Sequence, residues 1–418
     1  MFLKEGSLGI MNHKHKILWI SRFAPVSKAD SAGSRTLYYY FSKFRENPEF
    51  DIKLIASGFY KDFDIIEREN ASIEHAIIYW NNPNQSIVSK LINVESKFNP
   101  FNKFAGLISN TDVNAIIRSL QTFKFNGYMP DIVILEWTNM VVLASEIKKI
   151  FPTCKIVASE HDVTFVGYRR KADYYSGLKG KAWELKYRKE RSIELSALKK
   201  CDLILVQNWD NRNLLMKEGL REENIQWLVP FFNDMRDCSR KPNGKDILFF
   251  GAMARPENYL SAIWFIEKVM PLIEDMDVCF VVLGSNPPEE LKKFESSRIH
   301  ITGFVDSIVP FFENAVCLVA PLVLGAGIKV KIIEALSSGV PVLTNDIGIE
   351  GISAKDGREY IHCVEPSDFA RAIRKIFANP SAGAEMAINA KSYIEKNYLL
   401  EKSFDDYKYK LLELGERK

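Results

Sequence analysis

Short apolar runs alternate with helix-length amphipathic segments along most of this chain, and that rhythm restricts the folds open to it. The strand candidates are 16–21, 50–55, 73–80, 131–136, 155–158, 202–206, 225–229, 246–250, 278–283, 299–301, 315–320 and 340–343. Two parallel strands need a long crossover between them, which is usually a helix. The alternation therefore predicts an α/β protein built on parallel sheets.

A polar break over 233–245 divides this rhythm into two halves, with Pro242, Asn243 and Gly244 as turn-forming residues. A chain of 418 residues is also longer than one hydrophobic core usually supports. We therefore expect two doubly wound, Rossmann-like domains that face each other across a cleft. The N-terminal domain is predicted over 14–235 and the C-terminal domain over 243–396.

The stretch 321–344 of the C-terminal half is typical of a strand, a glycine-rich turn, a helix, a turn and a strand. Gly325 and Gly327 allow the backbone to approach a ligand closely, and the following helix directs its N–H groups and positive dipole end toward that ligand. Lys329 and Lys331 add positive charge there. Glu334, one turn into the helix, has the acceptor oxygens for two ribose hydroxyls. The pattern indicates a site for a nucleoside diphosphate that carries another group.

Cysteine usage and the N-terminus indicate where the protein works. None of the six cysteines has the CxxC spacing of a metal site, so we expect reduced, buried thiols in a cytoplasmic protein. The opening residues lack the basic-then-apolar layout of a signal peptide, and no apolar run approaches the roughly 20 residues that span a bilayer.

Positive charge is concentrated in one segment, 168–200, which we call the basic segment. It has eleven Lys or Arg against four Asp or Glu, a net charge of +7, whereas the whole chain carries +3. Its tyrosines and Trp183 add interfacial side chains, a mixture typical of binding to an anionic lipid surface on the inner face of a membrane. A solvated helix with i,i+4 ion pairs is the alternative. No nucleic-acid-binding module accompanies the segment, and no such partner is expected.

Several enzyme classes are excluded by missing motifs. A nicotinamide dehydrogenase needs Gly-x-Gly-x-x-Gly after its first strand, where this chain has 21–25 without glycine. The segment 177–182 lacks the spacing of a P-loop. No Asp-x-Asp pair follows a strand, so we expect a metal-independent reaction in which lysines and a helix end take the place of a divalent ion. No cofactor is expected beyond the nucleoside-diphosphate co-substrate.

Three motifs in the C-terminal half carry a family resemblance: 249–258, 301–305 and 321–351. In this order they resemble the retaining GT-B glycosyltransferases of family 4, also described as glycosyl transferases group 1. In the N-terminal half, the segment 30–35 resembles a glycine-containing turn that faces the donor in that family. The segment 159–162 resembles the part that supplies its active-site histidine.

The resemblance assigns roles to individual residues. It implies that His161, Lys331 and Glu334 are catalytic. The donor-binding residues it implies are Gly33, Arg35, Gly251, Arg255, Gly303, Phe304, Val305, Gly325, Ala326, Gly327, Ile328, Lys329, Lys331 and Glu334. Acceptor-side candidates are Glu136 and Asp162. Structural alternatives remain open at this stage: a core role for His161 and Glu136, a helix cap for Asp162, and surface charges for Arg35 and Arg255.

The chain departs from the family pattern at two positions. Glu334 matches the second glutamate of the Glu-x7-Glu motif, but Ala326 replaces the first, so the sugar must be held by backbone groups of 325–328. Ala252 stands where many relatives have arginine, so Arg255, Lys329 or Lys331 must meet the phosphates. Lys331 is the preferred partner.

The resemblance thus implies a retaining transferase. It would move a sugar from a nucleotide-diphosphate donor to a glycan or lipid-linked acceptor in surface polysaccharide or glycoconjugate biosynthesis. We expect the weakly periodic segment 81–110 and the basic segment to form the acceptor surface, and a C-terminal helix over 400–418 to pack back on the N-terminal domain. The alternatives are a degenerate, non-catalytic partner subunit and a GT-B sugar-nucleotide epimerase.

Overall fold

The computed structural model describes residues 14–29, 31–81, 104, 106–325 and 327–416. Ala326 and most of the segment 81–110 lie outside the described residues, and the expectations for them remain predictions. The chain forms two compact units. The first comprises Met1–Glu160, Ser192–Leu205 and Phe404–Lys418, and the second comprises His161–Arg191 and Val206–Ser403.

The first sheet has the strand order β3-β2-β1-β4-β5-β6-β7. Its strands are β1 (His15–Ser21), β2 (Phe50–Phe59), β3 (His75–Trp80), β4 (Ile132–Glu136), β5 (Lys155–Glu160), β6 (Leu203–Val206) and β7 (Ile225–Trp227). The pairs β1–β2, β1–β4, β2–β3 and β4–β5 are all parallel. Trp19 of β1 is fully buried and packs edge-on against Phe41, with ring centroids 5.3 Å apart.

The second sheet has the order β10-β9-β8-β11-β12-β13, and all its pairs are parallel. Its strands are β8 (Asp246–Phe250), β9 (Cys279–Leu283), β10 (Ile299–Gly303), β11 (Cys317–Ala320), β12 (Val342–Thr344) and β13 (Ile361–His362). The strand order reverses between β8 and β11. In open parallel sheets, ligands bind at the carboxyl ends of the strands at such a reversal.

Helices connect the strands. In the first half of the chain these are α1 (Ala32–Glu46), α2 (Phe63–Asn70), α3 (Asn110–Phe125), α4 (Thr138–Val141), α5 (Ala144–Ile150), α6 (Thr164–Tyr174), α7 (Gly177–Leu198) and α8 (Trp209–Lys217). In the second half they are α9 (Pro256–Lys268), α10 (Glu289–Lys292), α11 (Val309–Asn314), α12 (Val330–Ser338), α13 (Asp346–Ile349), α14 (Pro366–Ala378), α15 (Pro380–Asn397) and α16 (Leu400–Glu416).

The predicted strands and the doubly wound architecture are confirmed. Each strand candidate overlaps an observed strand, because short apolar runs flanked by turn residues are buried on both faces of a parallel sheet. All six cysteines carry free thiols, and five are buried. Within the described ranges, no helix combines the length and the apolarity that crossing a membrane requires.

Candidate functional site

The glycine loop, 321–329, joins the end of β11 to the start of α12 in the second unit. Gly325 and Gly327 have φ values of 133° and 73°, which side chains rarely adopt. A Cβ atom on Gly327 would lie 1.4 Å from Oδ1 of Asp162. A carboxylate of the chain itself therefore lies close to this backbone, and the close approach of a ligand stays a prediction.

Arg170 and Lys329 donate to carbonyl groups of the glycine loop, and both interact with the carboxylate of Glu350. The Arg170 guanidinium donates to both oxygens of Glu350 over 2.7 and 2.6 Å, and it donates to the carbonyl oxygen of Gly325 over 2.5 Å. Lys329 Nζ donates to the Gly327 carbonyl and lies 3.4 Å from a Glu350 oxygen. Two cations joined by one carboxylate thus bind two carbonyls of the same loop.

Asp162 and Lys329 have perturbed ionisation. The Asp162 side chain reaches solvent, but dense surrounding protein reduces its hydration and raises its pKa to about 6, while Lys329 acts in the opposite direction. Burial lowers the pKa of Lys329, and Glu350 and Asp162 oppose that shift. Asp162 does not cap α6, because the N-cap residue of that helix is Val163, which makes no side-chain capping hydrogen bond.

Lys331 contacts a different set of residues from Lys329. Its Nζ donates to Oδ1 of Asn258 over 2.8 Å and lies 4.9 Å from the ring centroid of Phe249. Burial, and then the charge of Lys329, lower the pKa of Lys331 to about 7. Gly251 packs against the Asn258 amide, where an added Cβ would meet Cγ at 2.9 Å. The first βα turn of the second sheet therefore positions this lysine.

Glu334 lies one turn into α12 and is 1% exposed. Its Oε1 accepts from the backbone N–H of Asn233 over 3.1 Å and from the Asn233 side-chain amide over 2.9 Å. These two donors orient the carboxylate within a helix whose other buried residues include the apolar Ile332, Ile333 and Leu336. A buried carboxylate held this way is a preorganised hydrogen-bond acceptor.

His161 follows β5 and is 6% exposed. Its Nδ1 lies 2.8 Å from the side-chain amide nitrogen of Gln207. With that amide as donor, the proton of a neutral imidazole is on Nε2, which is then a hydrogen-bond donor. Gln207 thereby orients the ring and selects its tautomer.

The remaining donor-binding candidates of the second unit lie at the start of α9, at the end of β10 and in the glycine loop. Arg255 is the N-cap residue of α9, with a side chain that is 55% exposed. Gly303 ends β10 with φ at 70°; Phe304 follows with 75% exposure, and Val305 and Ile328 are half-buried loop residues. Arg255 is close enough to Lys331 to oppose its protonation.

Three predicted site residues belong to the first unit. Gly33 and Arg35 lie in the first turn of α1, after the N-cap Ser31, whose hydroxyl accepts from the Ser34 N–H. Glu136 ends β4, is 3% exposed and lies between Ser21 and Ser159 on the neighbouring strands. Their roles remain the predictions made from the sequence.

Sequence reasoning missed four residues that hold the predicted ones in place: Arg170, Gln207, Asn233 and Asn258. Arg170 is 155 residues from Gly325 and 180 from Glu350, and no spacing rule connects positions so distant. Asn233 lies in the polar break, which the sequence marked only as a connection. Among the described residues, no group of three or more His, Cys, Asp or Glu side chains could hold a metal ion.

Comparisons with known proteins give a family match for part of the chain. Residues 244–379 match the model of the family described as glycosyl transferases group 1. A Klebsiella pneumoniae protein, described as an uncharacterized 44.6 kDa protein in the cps region, is 29% identical over 182 residues. That alignment covers 41% of this chain and 45% of the relative, so it spans less than half of either protein.

Solved structures show the fold. HepE of Anabaena, in complex with UDP and glucose, has a TM-score of 0.66 at 12% identity, over 96% of this chain and all of that one. Sucrose-phosphate synthase of Thermosynechococcus elongatus gives 0.70 at 13%, over 96% and 99%. A glycosyltransferase of Rickettsia africae gives 0.64 at 14%, over 97% and 100%. The chain has the GT-B fold of glycosyltransferases, and the part that matches the glycosyl transferases group 1 family contains the glycine loop, Lys331 and Glu334.

Proposed function

We propose that this chain is a retaining, metal-independent glycosyltransferase of family 4 that transfers a sugar from a nucleotide-diphosphate donor to a glycan or lipid-linked acceptor. One observation carries the proposal. At the reversal point of the second sheet, a glycine loop, Lys329 and Lys331 surround the start of α12, and the buried carboxylate of Glu334 follows one turn later. HepE, which shares the fold, has been solved with UDP and with UDP-glucose.

Different residues bind the ribose, the diphosphate and the sugar of the donor. Glu334 accepts hydrogen bonds from the ribose hydroxyls, with Asn233 keeping its carboxylate in place. The positive end of α12 and the two lysines bind the diphosphate. Backbone groups of 325–328 and the Nε2–H of His161 bind the sugar, which compensates for the missing first glutamate.

The proposed transfer breaks the bond between the sugar C1 and the β-phosphate oxygen, whose electron pair stays on the phosphate. A new bond forms between C1 and an acceptor hydroxyl on the same face, and the hydroxyl proton passes to that phosphate oxygen. Fixed cations and N–H groups near a developing charge are worth several kcal/mol, roughly 3–4 for one donor. Lys329 and Lys331 supply this stabilisation in the proposed metal-independent reaction.

The stereochemistry of slow donor hydrolysis tests the proposal. The full chain is incubated in excess chelator with α-linked UDP- and GDP-hexoses, and the released sugar is followed by proton NMR. We expect the α-anomer to form first, before mutarotation. Initial β-anomer would contradict retention, and turnover that requires a divalent ion would contradict the metal-free mechanism.

Nucleotide-sugar binding without turnover, even with added glycan and lipid-linked acceptors, would favour the non-catalytic partner subunit. Epimerised nucleotide sugar would indicate the epimerase.

The acceptor and location belong to the same proposal. The cps-region relative supports a role in surface polysaccharide or glycoconjugate biosynthesis. The basic segment combines exposed apolar side chains, Leu178 at 86% and Leu185 at 70%, with exposed lysines such as Lys179. We propose that this surface binds anionic lipid and brings a cytoplasmic enzyme to the inner face of the membrane.

Vesicle flotation tests the lipid interaction. We expect salt-sensitive binding to vesicles of phosphatidylcholine with phosphatidylglycerol and none to phosphatidylcholine alone. The competing interpretation is supported by the four arginines of the segment, which are all ion-paired within the second unit, for example Arg169 with Asp173 and Glu184. Leu178→Ser with Leu185→Ser should reduce flotation several-fold, and unchanged flotation would contradict this surface.

A further inference from the structure

A cavity of 490 Å³ lies beside the Arg170–Glu350 pair, within the second unit. This volume is in the range of small-molecule sites. Its wall includes Trp209, Asp210, Asp346 and Gly351 in addition to that pair. Among the described residues, those lining it include neither the glycine loop nor Lys331 nor Glu334. The cavity is therefore adjacent to the proposed donor site but separate from it.

Trp209 provides a preformed aromatic surface in this wall. It begins α8 and stays 42% exposed despite its size. Its ring stacks on Trp227 with centroids 5.5 Å apart at 30°, and Trp227 is held by donation from its Nε1 to the Gln207 carbonyl over 3.2 Å. Arg212 lies 5.5 Å from the Trp209 centroid. An exposed indole fixed by its neighbours can cover an apolar ligand face with little loss of side-chain entropy.

Hydrogen-bond donors and acceptors line the same cavity as the indole. Asp210 accepts from the Gly351 N–H over 2.9 Å, and Asp346 lies 2.9 Å from Nε2 of His362. A carboxylate has about four acceptor positions, so each of these retains capacity for further hydroxyl donors. Arg170, with a side chain that is 32% exposed, adds N–H donors.

The two segments that form the wall are fixed to each other. Gly351 has φ at 74°, and a Cβ there would lie 2.4 Å from Cβ of Asn208. Asn208 is fully buried and caps α8 by accepting from the Asn211 N–H. With the Asp210–Gly351 hydrogen bond, this contact keeps the indole and the 346–353 segment at a constant separation.

We propose that this cavity binds a pyranose ring of the acceptor. A pyranose combines an apolar C–H face, which suits Trp209, with a rim of hydroxyls, which suits the carboxylates and Arg170. This assignment rests on the proposed glycosyltransferase function. The separation from the donor-binding residues favours the acceptor over the donor sugar, and the contact of Arg170 with Gly325 places the ring next to the donor.

Saccharide binding to the full chain in saturating UDP tests this assignment. The probes are methyl glucopyranoside, methyl galactopyranoside and methyl mannopyranoside, observed by saturation-transfer NMR. Trp209→Ala should weaken binding of a recognised pyranoside at least about tenfold, close to 1.4 kcal/mol. Trp209→Phe keeps an aromatic face and should stay within about threefold. Trp264→Ala removes a partly exposed indole of α9 that packs on Phe369, outside the cavity, and should have no effect.

Parallel titrations with UDP and UDP-glucose separate the possible failures. Normal UDP binding without pyranoside binding, or with pyranoside binding that Trp209→Ala leaves unchanged, overturns the subsite and leaves the proposed function standing. If Trp209→Ala weakens only UDP-glucose, the cavity holds the donor sugar and the acceptor assignment is wrong. If the wild-type chain binds none of UDP, GDP and ADP, the proposed function fails first; if it binds GDP or ADP instead of UDP, that nucleotide replaces UDP in both experiments. Unchanged UDP affinity in Trp209→Ala shows that the variant is folded.

Discussion

Gly327→Ala tests whether the glycine loop is shaped by Asp162. The added Cβ would lie 1.4 Å from Oδ1 and 2.5 Å from Cγ of that carboxylate, at φ of 73°. Carbon atoms in contact sit about 3.5–4.0 Å apart, so the carboxylate or the loop must move by about 2 Å. The carboxylate would then leave Lys329, and the loop would lose the geometry proposed for the diphosphate.

The expected loss of stability has two parts. A side chain in the left-handed region costs roughly 1–2 kcal/mol. Overpacking against Asp162 adds about 1–3 kcal/mol. Gly357→Ala is the matched control, because Gly357 has φ of 72° with no atom within 4 Å of an added Cβ. It should show the first cost alone.

Urea unfolding and UDP titration provide the readouts. Gly327→Ala should unfold at lower urea than Gly357→Ala and bind UDP at least about tenfold more weakly. Adding Asp162→Ala to Gly327→Ala removes the overlapping atoms and should abolish the stability difference from Gly357→Ala. Equal losses for Gly327→Ala and Gly357→Ala, or no recovery in the double variant, would refute this reasoning.

Three further predictions concern the charged groups. UDP binding at pH 8 should take up roughly 0.9 proton, because Lys331, with a pKa near 7, is mostly neutral until the bound diphosphate favours its protonated form. Calorimetry in buffers of different ionisation enthalpy measures this uptake; Lys331→Met should abolish it, and equal uptake by the wild type and the variant would contradict the prediction. The same lowered pKa predicts that the contribution of Lys331 to folding stability increases as the pH rises from about 7 to the ordinary pKa of lysine, since the unfolded chain binds more protons in this range. If the urea midpoints of the wild type and Lys331→Met change with pH in parallel, this prediction is wrong. Arg170→Ala should weaken UDP binding about tenfold, and Arg170→Lys should not rescue it, because one ammonium cannot replace the fork that reaches both Glu350 and Gly325; full rescue by lysine would exclude the fork.

The sequence predicted the architecture because parallel sheets leave strong local signals. Their strands are apolar throughout, and turn residues flank them. The glycine loop, Lys331 and Glu334 were identifiable for the same reason, since a strand, a glycine turn and a helix start are contiguous in sequence.

The residues that hold the candidate site residues in place are not marked by a comparable sequence pattern. Arg170 lies in a segment whose charge and aromatic content point to lipid binding, yet its guanidinium pairs with Glu350. Asn258 and Asn233 are ordinary polar residues in sequence, and only the fold brings their amides to Lys331 and Glu334. The sequence indicated a capping alternative for Asp162, whereas packing against Gly327 explains its position better.

Direct nucleotide binding tests the central claim that the second unit holds a nucleoside-diphosphate donor site. The full chain is titrated with UDP, GDP and ADP in excess chelator, together with Glu334→Ala and a surface control, Glu385→Ala. We expect one nucleotide to bind with a dissociation constant below about 1 mM, equivalent to roughly −4 kcal/mol. Glu334→Ala should weaken it at least about tenfold, because a hydrogen bond to a charged group is worth about 1.5–3 kcal/mol, whereas Glu385→Ala should match the wild type. Absence of binding by all three nucleotides, or equal affinity in Glu334→Ala, would contradict the account.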